Sequence, residues 1–415
     1  MNLCKKIYCR TMMGVFYIIK PFLPYHEPET LKQIGDIPPL LKKNNTTSVL
    51  LVTDAGLRSL GITSDLEKQL KDGGINCTVY DKTKANPTVD NVEEALESYK
   101  ASKCQALIAF GGGSAIDCAK AVGARIARPD KGLNEMAGTL RVMRKIPMLI
   151  AIPTTAGTGS EATPAAVITD SQNRHKYTVN DFCLTPQYAV LDPRVTFSLP
   201  PSLTVTTGMD ALTHAVEAYI GHSTTRKTRT QSSQAAKLIF ENIETAYSNG
   251  SDYTARANML KASYLAGVAF SMSYVGYVHA IAHSLGGAYN VPHGLANSVL
   301  LPVVLEEYGK SVHKKLYELA VFCGIANVDD SREVAAKKFI AKIRELNKNM
   351  NIPDTISGIR KEDIPQMAKY ADREANPLYP VPKLMDAKEL EAIYEKIADW
   401  SSVNNDSIIM NGLPV

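Results

Sequence analysis

Residues 106–127, ALIAFGGGSAIDCAKAVGARIA, decide the fold. Ala106–Phe110 is a short apolar, β-prone run, and Ala115–Ala127 places its apolar residues at helical spacing. Between them stand Gly111, Gly112, Gly113 and Ser114. Glycines at a strand-to-helix turn let the backbone approach a ligand, and the helix N-terminus behind them attracts a pyrophosphate. The pattern is not a GxGxxG after a first strand, so composition alone also admits a plain turn. Asp117 is expected as a partner of the helix dipole rather than as a ligand.

Upstream, Ser48–Thr53 and Asn76–Tyr80 read as two more strands, with helices at Leu66–Asp72 and Val89–Lys100. This βαβαβ order implies a parallel sheet with helices on its faces, and ligands gather beyond the carboxyl ends of such strands. Asp54 lies at one such end. A carboxylate there accepts ribose hydroxyls and repels a 2′-phosphate, although a simple turn aspartate fits the position equally. Downstream, Met148–Ile152 is a strand, followed by the hydroxyl- and glycine-rich loop PTTAGTGSE at 153–161. Such a loop supplies hydrogen bonds to a polar ligand or simply turns the chain. Val167–Thr169 and Tyr188–Leu191 are further strands, and Lys176 between them is a cation for ribose or phosphate, or a solvated side chain.

After Leu199-Pro200-Pro201 the β-prone runs stop and helical patterns dominate. Within GMDALTHAVEAYIG, residues 208–221, Asp210 and His214 are four apart and share a helix face. Within GYVHAIAHSLGGAYNVPHGLAN, residues 276–297, His279 and His283 are also four apart. Asn290-Val291-Pro292 turns the chain, and His293 opens the next helix, where imidazolium is disfavoured. Each histidine alone suits an ordinary amphipathic helix. Together, Asp210, His214, His279 and His293 make one carboxylate and three imidazoles, a set suited to Fe²⁺ or Zn²⁺. His283 is the spare: a replacement for His279, or a proton carrier beside the substrate.

At 415 residues the chain is long enough for two domains. Its net charge of +4 comes without any basic block that would suit nucleic acid. Seven scattered cysteines without CxxC spacing fit free thiols in the cytoplasm. The apolar run Met12–Ile19 is too short for a membrane span, although Lys5, Lys6 and Arg10 before it also admit a targeting role. The expected divisions are an N-terminal arm over 1–46, packed on the first domain or on a second subunit, a nucleotide-binding α/β domain over 47–199 and an all-helical domain over 200–415. The cleft between the domains is the expected site.

The sequence resembles the iron-containing, group III alcohol dehydrogenases. The resemblance rests on FGGGSAIDCAKA, IPTTAGTGSEAT, GMDALTHAVEAY and HAIAHSLGGAYNVPHGLAN, and runs from about residue 47 to about residue 399. It implies a Rossmann-like α/β half and a helical half, in a dehydroquinate-synthase-like two-domain architecture, commonly as a homodimer. It implies metal ligation by Asp210, His214, His279 and His293, with His283 beside nicotinamide and substrate. It places cofactor contacts at Asp54, Asn86, Gly111, Gly112, Gly113, Ser114, Thr154, Thr155, Thr158 and Lys176, and the acid at 54 favours NAD over NADP. The implied reaction is reversible hydride transfer between NAD(H) and a small primary alcohol or diol, with the metal polarising the oxygen, as in fermentation. Two other classes compete: a dehydroquinate-synthase-like lyase, which lacks its expected cluster of cations here, and a non-catalytic assembly component.

Overall fold

The computed structural model describes residues 1–171 and 176–401. The tail beyond residue 401, which ends the expected helical domain, lies outside the described residues. Two compact units form among the described residues: one from Phe22–Ala211 and Gln234–Met272, the other from Met1–Pro21, Leu212–Ser233 and the described chain after Met272.

The helical unit starts with α1 (Leu3–Ile19). The α/β unit is built on six parallel strands, β1 (Glu29–Leu31), β2 (Ser48–Val52), β3 (Asn76–Tyr80), β4 (Ala106–Gly111), β6 (Met148–Pro153) and β9 (Tyr188–Val190), in the order β1-β9-β6-β4-β2-β3. Alternate residues of each strand bury opposite ways. Val49, Leu51, Ile108 and Ile150 pack with Ile37 and Leu41 of α2 (Ile37–Lys43) and with Leu66 and Leu70 of α4 (Ser64–Asp72). Leu50, Val52, Leu107 and Ala151 pack with Val92 of α5 (Val89–Ala101) and Ile116 of α6 (Gly113–Ala127). Central strands buried on both faces read as unbroken apolar runs, which is why they were legible. Each buried Val, Leu or Ile among them contributes about 1.5–3 kcal/mol. A short α3 (Ala55–Ser59) follows β2. A second sheet, β5 (Gly138–Thr139), β8 (Lys176–Asn180) and β7 (Ala165–Thr169), contains the antiparallel pair β7–β8.

The register brings the glycine and threonine loops together. Phe110 pairs with Ile152 and Gly111 with Pro153, so both loops leave adjacent strands at the same end. The N–H of Thr154 donates to the carbonyl of Gly111 at 3.0 Å.

The helices that follow are α7 (Pro201–Ile220), α8 (Arg226–Ser248), α9 (Tyr253–Ser273), α10 (Tyr277–Tyr289), α11 (His293–Tyr308), α12 (His313–Phe322), α13 (Arg332–Asn349), α14 (Ile364–Ala375) and α15 (Ala387–Ile397). Helix α10 ends at Asn290 in the left-handed region, and Pro292 precedes α11, as the turn signals require.

The division falls inside α7, and residues 234–272 belong with the sheet. The stretch 1–46 is not one arm. Glu29–Leu31 is a strand paired with β9 and α2 covers the sheet, whereas α1 belongs to the helical unit. Helix α1 buries Cys9 and Met13, pairs Lys5 with Asp372 at 2.7 Å, and donates from Arg10 to the carbonyls of Val381 (2.9 Å) and Pro382 (3.0 Å). No single helix among the described residues is long and apolar enough to cross a membrane.

Candidate functional site

Helix α7 carries Asp210, His214 and Glu217, a spacing that holds all three on one face. Helix α10 carries His279 and His283, and α11 begins at His293. One ligand atom each from Asp210, His279 and His293 lies within 4.8 Å of the others. His214 is not in that group; its ring stacks on that of His279 with centroids 4.4 Å apart. His293 lies 5.4 Å from His279, ring to ring, and His283 stacks 5.2 Å from His293.

Glu217 orients the cluster. It is buried, accepts the N–H groups of Gly276 (2.8 Å) and Val278 (2.9 Å), and lies 2.6 Å from Nδ1 of His279. A proton on that Nδ1 puts the ring's in-plane lone pair on Nε2 of His279. The side-chain amide nitrogen of Asn297 stands 3.4 Å from Nε2 of His279 and 3.1 Å from Nε2 of His293, so both Nε2 atoms converge. Burial, and then the neighbouring imidazoles, holds the pKa of His279 well below the ordinary value, so the ring is neutral. Burial likewise raises the Glu217 carboxyl to about 7, against the pull of its backbone hydrogen bonds. A carboxylate with convergent imidazole nitrogens fits a divalent ion of borderline softness.

His283 is exposed, and its Nδ1 lies 2.6 Å from Oε1 of Glu374 on α14. The Tyr379 hydroxyl donates to the same oxygen at 2.8 Å. Glu217, Asn297 and Glu374 were all missed in the sequence. Only Glu217 left a signal there, seven residues after Asp210 and three after His214.

In the α/β unit, a Cβ added to Gly113 would lie 3.0 Å from Cγ2 of Thr158, and one on Gly112 would lie 3.4 Å from Thr155. The two loops therefore face each other across side-chain-free backbone at the N-terminus of α6. Thr154 is buried beneath them. Lys176 donates to Oδ1 of Asn86 at 2.9 Å, and the N–H of Asn86 donates to Oγ of Ser114 at 3.3 Å. Asp54 caps α3 by accepting the N–H of Leu57 at 2.9 Å, and its other oxygen would lie 3.7 Å from a Cβ on Gly111. Asp54 is thus both a cap and a neighbour of the glycine turn.

Two other glycines of the threonine loop serve packing. A Cβ on Gly157 would meet Thr207 at 2.5 Å, and one on Gly159, where φ is +59°, would meet Gly267 Cα at 2.6 Å. Asp117 departs from the helix-dipole expectation. It accepts from Oγ of Ser160 (2.7 Å) and from the N–H of Val167 (3.0 Å), because α6 packs directly on β7. Fully buried Lys120 lies beside it and donates to Ser160, Thr163 and the carbonyl of Ala165; burial lowers its pKa to about 8.

Two family models match the chain: one described as iron-containing alcohol dehydrogenase over residues 27–193, and one described as the C-terminal part of the Fe-containing alcohol dehydrogenase family over residues 204–398. The chain is 38% identical over 343 residues to the NAD-dependent methanol dehydrogenase of Bacillus methanolicus, covering 82% of this chain and 89% of that protein. It is 35% identical over 387 residues to the 1,3-propanediol dehydrogenase of Klebsiella pneumoniae, covering 92% of this chain and 98% of that protein. Among solved structures it resembles a 1,3-propanediol oxidoreductase with a TM-score of 0.86 and 33% identity, over 90% of this chain and 99% of that one.

Proposed function

The chain belongs to the iron-containing alcohol dehydrogenase family, and from that membership we propose the roles of its residues in NAD-dependent alcohol oxidoreduction. The reaction moves a hydride between NAD(H) and a small primary alcohol or diol. The observation that carries the reading is the convergence of Asp210, His279 and His293.

In this reading Asp210, His214, His279 and His293 hold the ion, and Fe²⁺ is the ion that the family name favours. When bound, the ion polarises the alcohol or carbonyl oxygen, and the nicotinamide accepts or returns the hydride. Glu217 holds His279 in the tautomer that presents Nε2. Gly112, Gly113 and the N-terminus of α6 receive the pyrophosphate, with Gly111, Ser114, Thr154, Thr155 and Thr158 around it. Asn86 and Lys176 reach the ribose or phosphate. The free oxygen of Asp54 accepts a ribose hydroxyl and repels a 2′-phosphate. His283, with Nδ1 held by Glu374, carries a proton between the substrate oxygen and solvent.

The lyase reading is not favoured, because the relatives are alcohol, methanol and diol dehydrogenases. We assign the enzyme to the cytoplasm as a homodimer. The seven free cysteines support a reducing compartment.

The test is aldehyde reduction by metal-stripped protein with Fe²⁺ or Zn²⁺ added back under anaerobic conditions. Recovery with Fe²⁺ and NADH is expected. Recovery with Zn²⁺ alone would change the metal, and none with either ion despite tight binding would overturn the assignment.

A further inference from the structure

Helix α1 precedes residue 27, where the first family match begins, and the 1,3-propanediol oxidoreductase is 99% covered by 90% of this chain. Its inward stripe, Cys9 and Met13, is buried on the helical unit. Its outward side is mostly apolar, with exposed Thr11 among the apolar residues. Leu3, Ile7, Tyr8, Val15, Tyr17, Ile18 and Ile19 are exposed, from 43% at Val15 to 72% at Leu3. At 3.6 residues per turn they cover roughly 200° of the helix, with Tyr8 and Tyr17 toward the two edges. A large contiguous apolar patch marks an interaction surface.

Beside Tyr17 on the wheel stand Lys6 and Arg10. With Ile7, Lys383, Leu384 and Glu389 they line a cavity of about 710 Å³. Arg10 and Lys383 donate to the backbone carbonyls of Val381, Pro382 and Glu307, so no carboxylate neutralises them there. The rim therefore carries three cations against the single acid Glu389.

We infer that α1 docks this protein on the surface of an anionic bilayer, its apolar arc in the acyl boundary and its basic rim at the headgroups. The arc is broader than the narrow seam that pairs two helices in a coiled coil. A second copy of α1 also has no carboxylate for Lys6 and Arg10, because residues 1–26 contain no acid. A layer of anionic headgroups answers them, and tyrosines suit the boundary between chains and water. This inference is independent of the reaction assigned above.

The test is co-sedimentation of the full chain with vesicles of phosphatidylcholine alone or mixed with phosphatidylglycerol. Binding to the mixed vesicles is expected to be at least about tenfold tighter, and to weaken with salt. The double variant Ile7→Glu/Ile18→Glu is expected to lose about tenfold or more of that binding, with melting temperature and turnover unchanged. Lys6→Glu is expected to remove part of the salt-sensitive component. Failure of the wild-type chain to bind anionic vesicles would overturn the proposal, as would binding indifferent to Ile7→Glu/Ile18→Glu. A sedimentation mass that falls in the double variant, without vesicle binding by the wild type, would assign the face to a second copy instead.

Discussion

Oε2 of Glu217 lies 2.6 Å from Nδ1 of His279, one helix gripping a histidine of another. The same carboxylate holds the N–H groups of Gly276 and Val278, so the ring and the start of α10 are fixed together. A Cβ on Gly276 would lie 2.6 Å from Oε1 of Glu217, which is why glycine stands there.

Glu217→Gln is expected to weaken metal binding about 10–100-fold. Its amide would set an N–H against the backbone N–H of Gly276 or Val278, or against the Nδ1 proton of His279. Competition with a chelator measures the affinity, and nitrogen chemical shifts of the metal-free protein report the His279 tautomer. Unchanged affinity with a shifted melting temperature would reduce Glu217 to a structural link.

Asp54→Asn is expected to raise use of NADPH relative to NADH, because the amide keeps an acceptor for the Leu57 N–H and loses the charge. Asp54→Ala also removes the cap and should cost about 1 kcal/mol of stability. Steady-state kinetics with both cofactors and thermal melts separate the two effects. Equal cofactor preference in the wild type and in Asp54→Asn would remove Asp54 from cofactor choice.

Two glycine substitutions should fail in different ways. Gly159→Ala forces a Cβ into Gly267 from a left-handed backbone and is expected to destabilise the fold by about 1–3 kcal/mol. Gly112→Ala meets only Thr155 at 3.4 Å and should leave melting nearly unchanged while raising the KM for NAD. If Gly112→Ala binds NAD normally, the turn is not the cofactor cradle.

His283→Ala is expected to retain the bound ion and to lose turnover, with an altered pH profile. Metal content after dialysis and turnover across pH check both halves. Loss of the ion would instead make His283 a ligand.

Glu161 is buried, and Oε1 accepts no hydrogen bond among the described residues. Burial raises its carboxyl from 4.5 to about 7, offset in part by a backbone hydrogen bond and by Lys120. Between those values the unfolded chain releases a proton that the folded chain keeps, so this group's stabilisation is full below 4.5 and falls as pH rises to 7. Glu161→Gln should therefore match the wild type near pH 4 and exceed it above pH 7, by about 1–3 kcal/mol. Melting curves across that range decide it.

The sheet was legible because central strands are unbroken apolar runs, and the candidate metal ligands stood out because i, i+4 pairs advertise a shared helix face. What was hidden depends on contacts across elements. Helix α14 stands among Pro353, Pro365, Pro377 and Pro380, which obscure its helical pattern, and with it Glu374, the partner of His283. Lys120 sits in an alanine-rich helix where a lysine reads as solvated, yet three oxygens on the following strand and loop surround it. The strand Glu29–Leu31 is too short to show periodicity and exists through its pairing with β9.

The pairing of Lys5 with Asp372 spans 367 residues. At a synthesis rate of about 5–20 residues per second, roughly 20–70 s pass between the appearance of α1 and that of its seat. Helix α1 is thus made long before it can be placed. Until that seat is made, Cys9 and Met13 have nothing to pack against, so the inward stripe and the outward arc of α1 are exposed together on the growing chain.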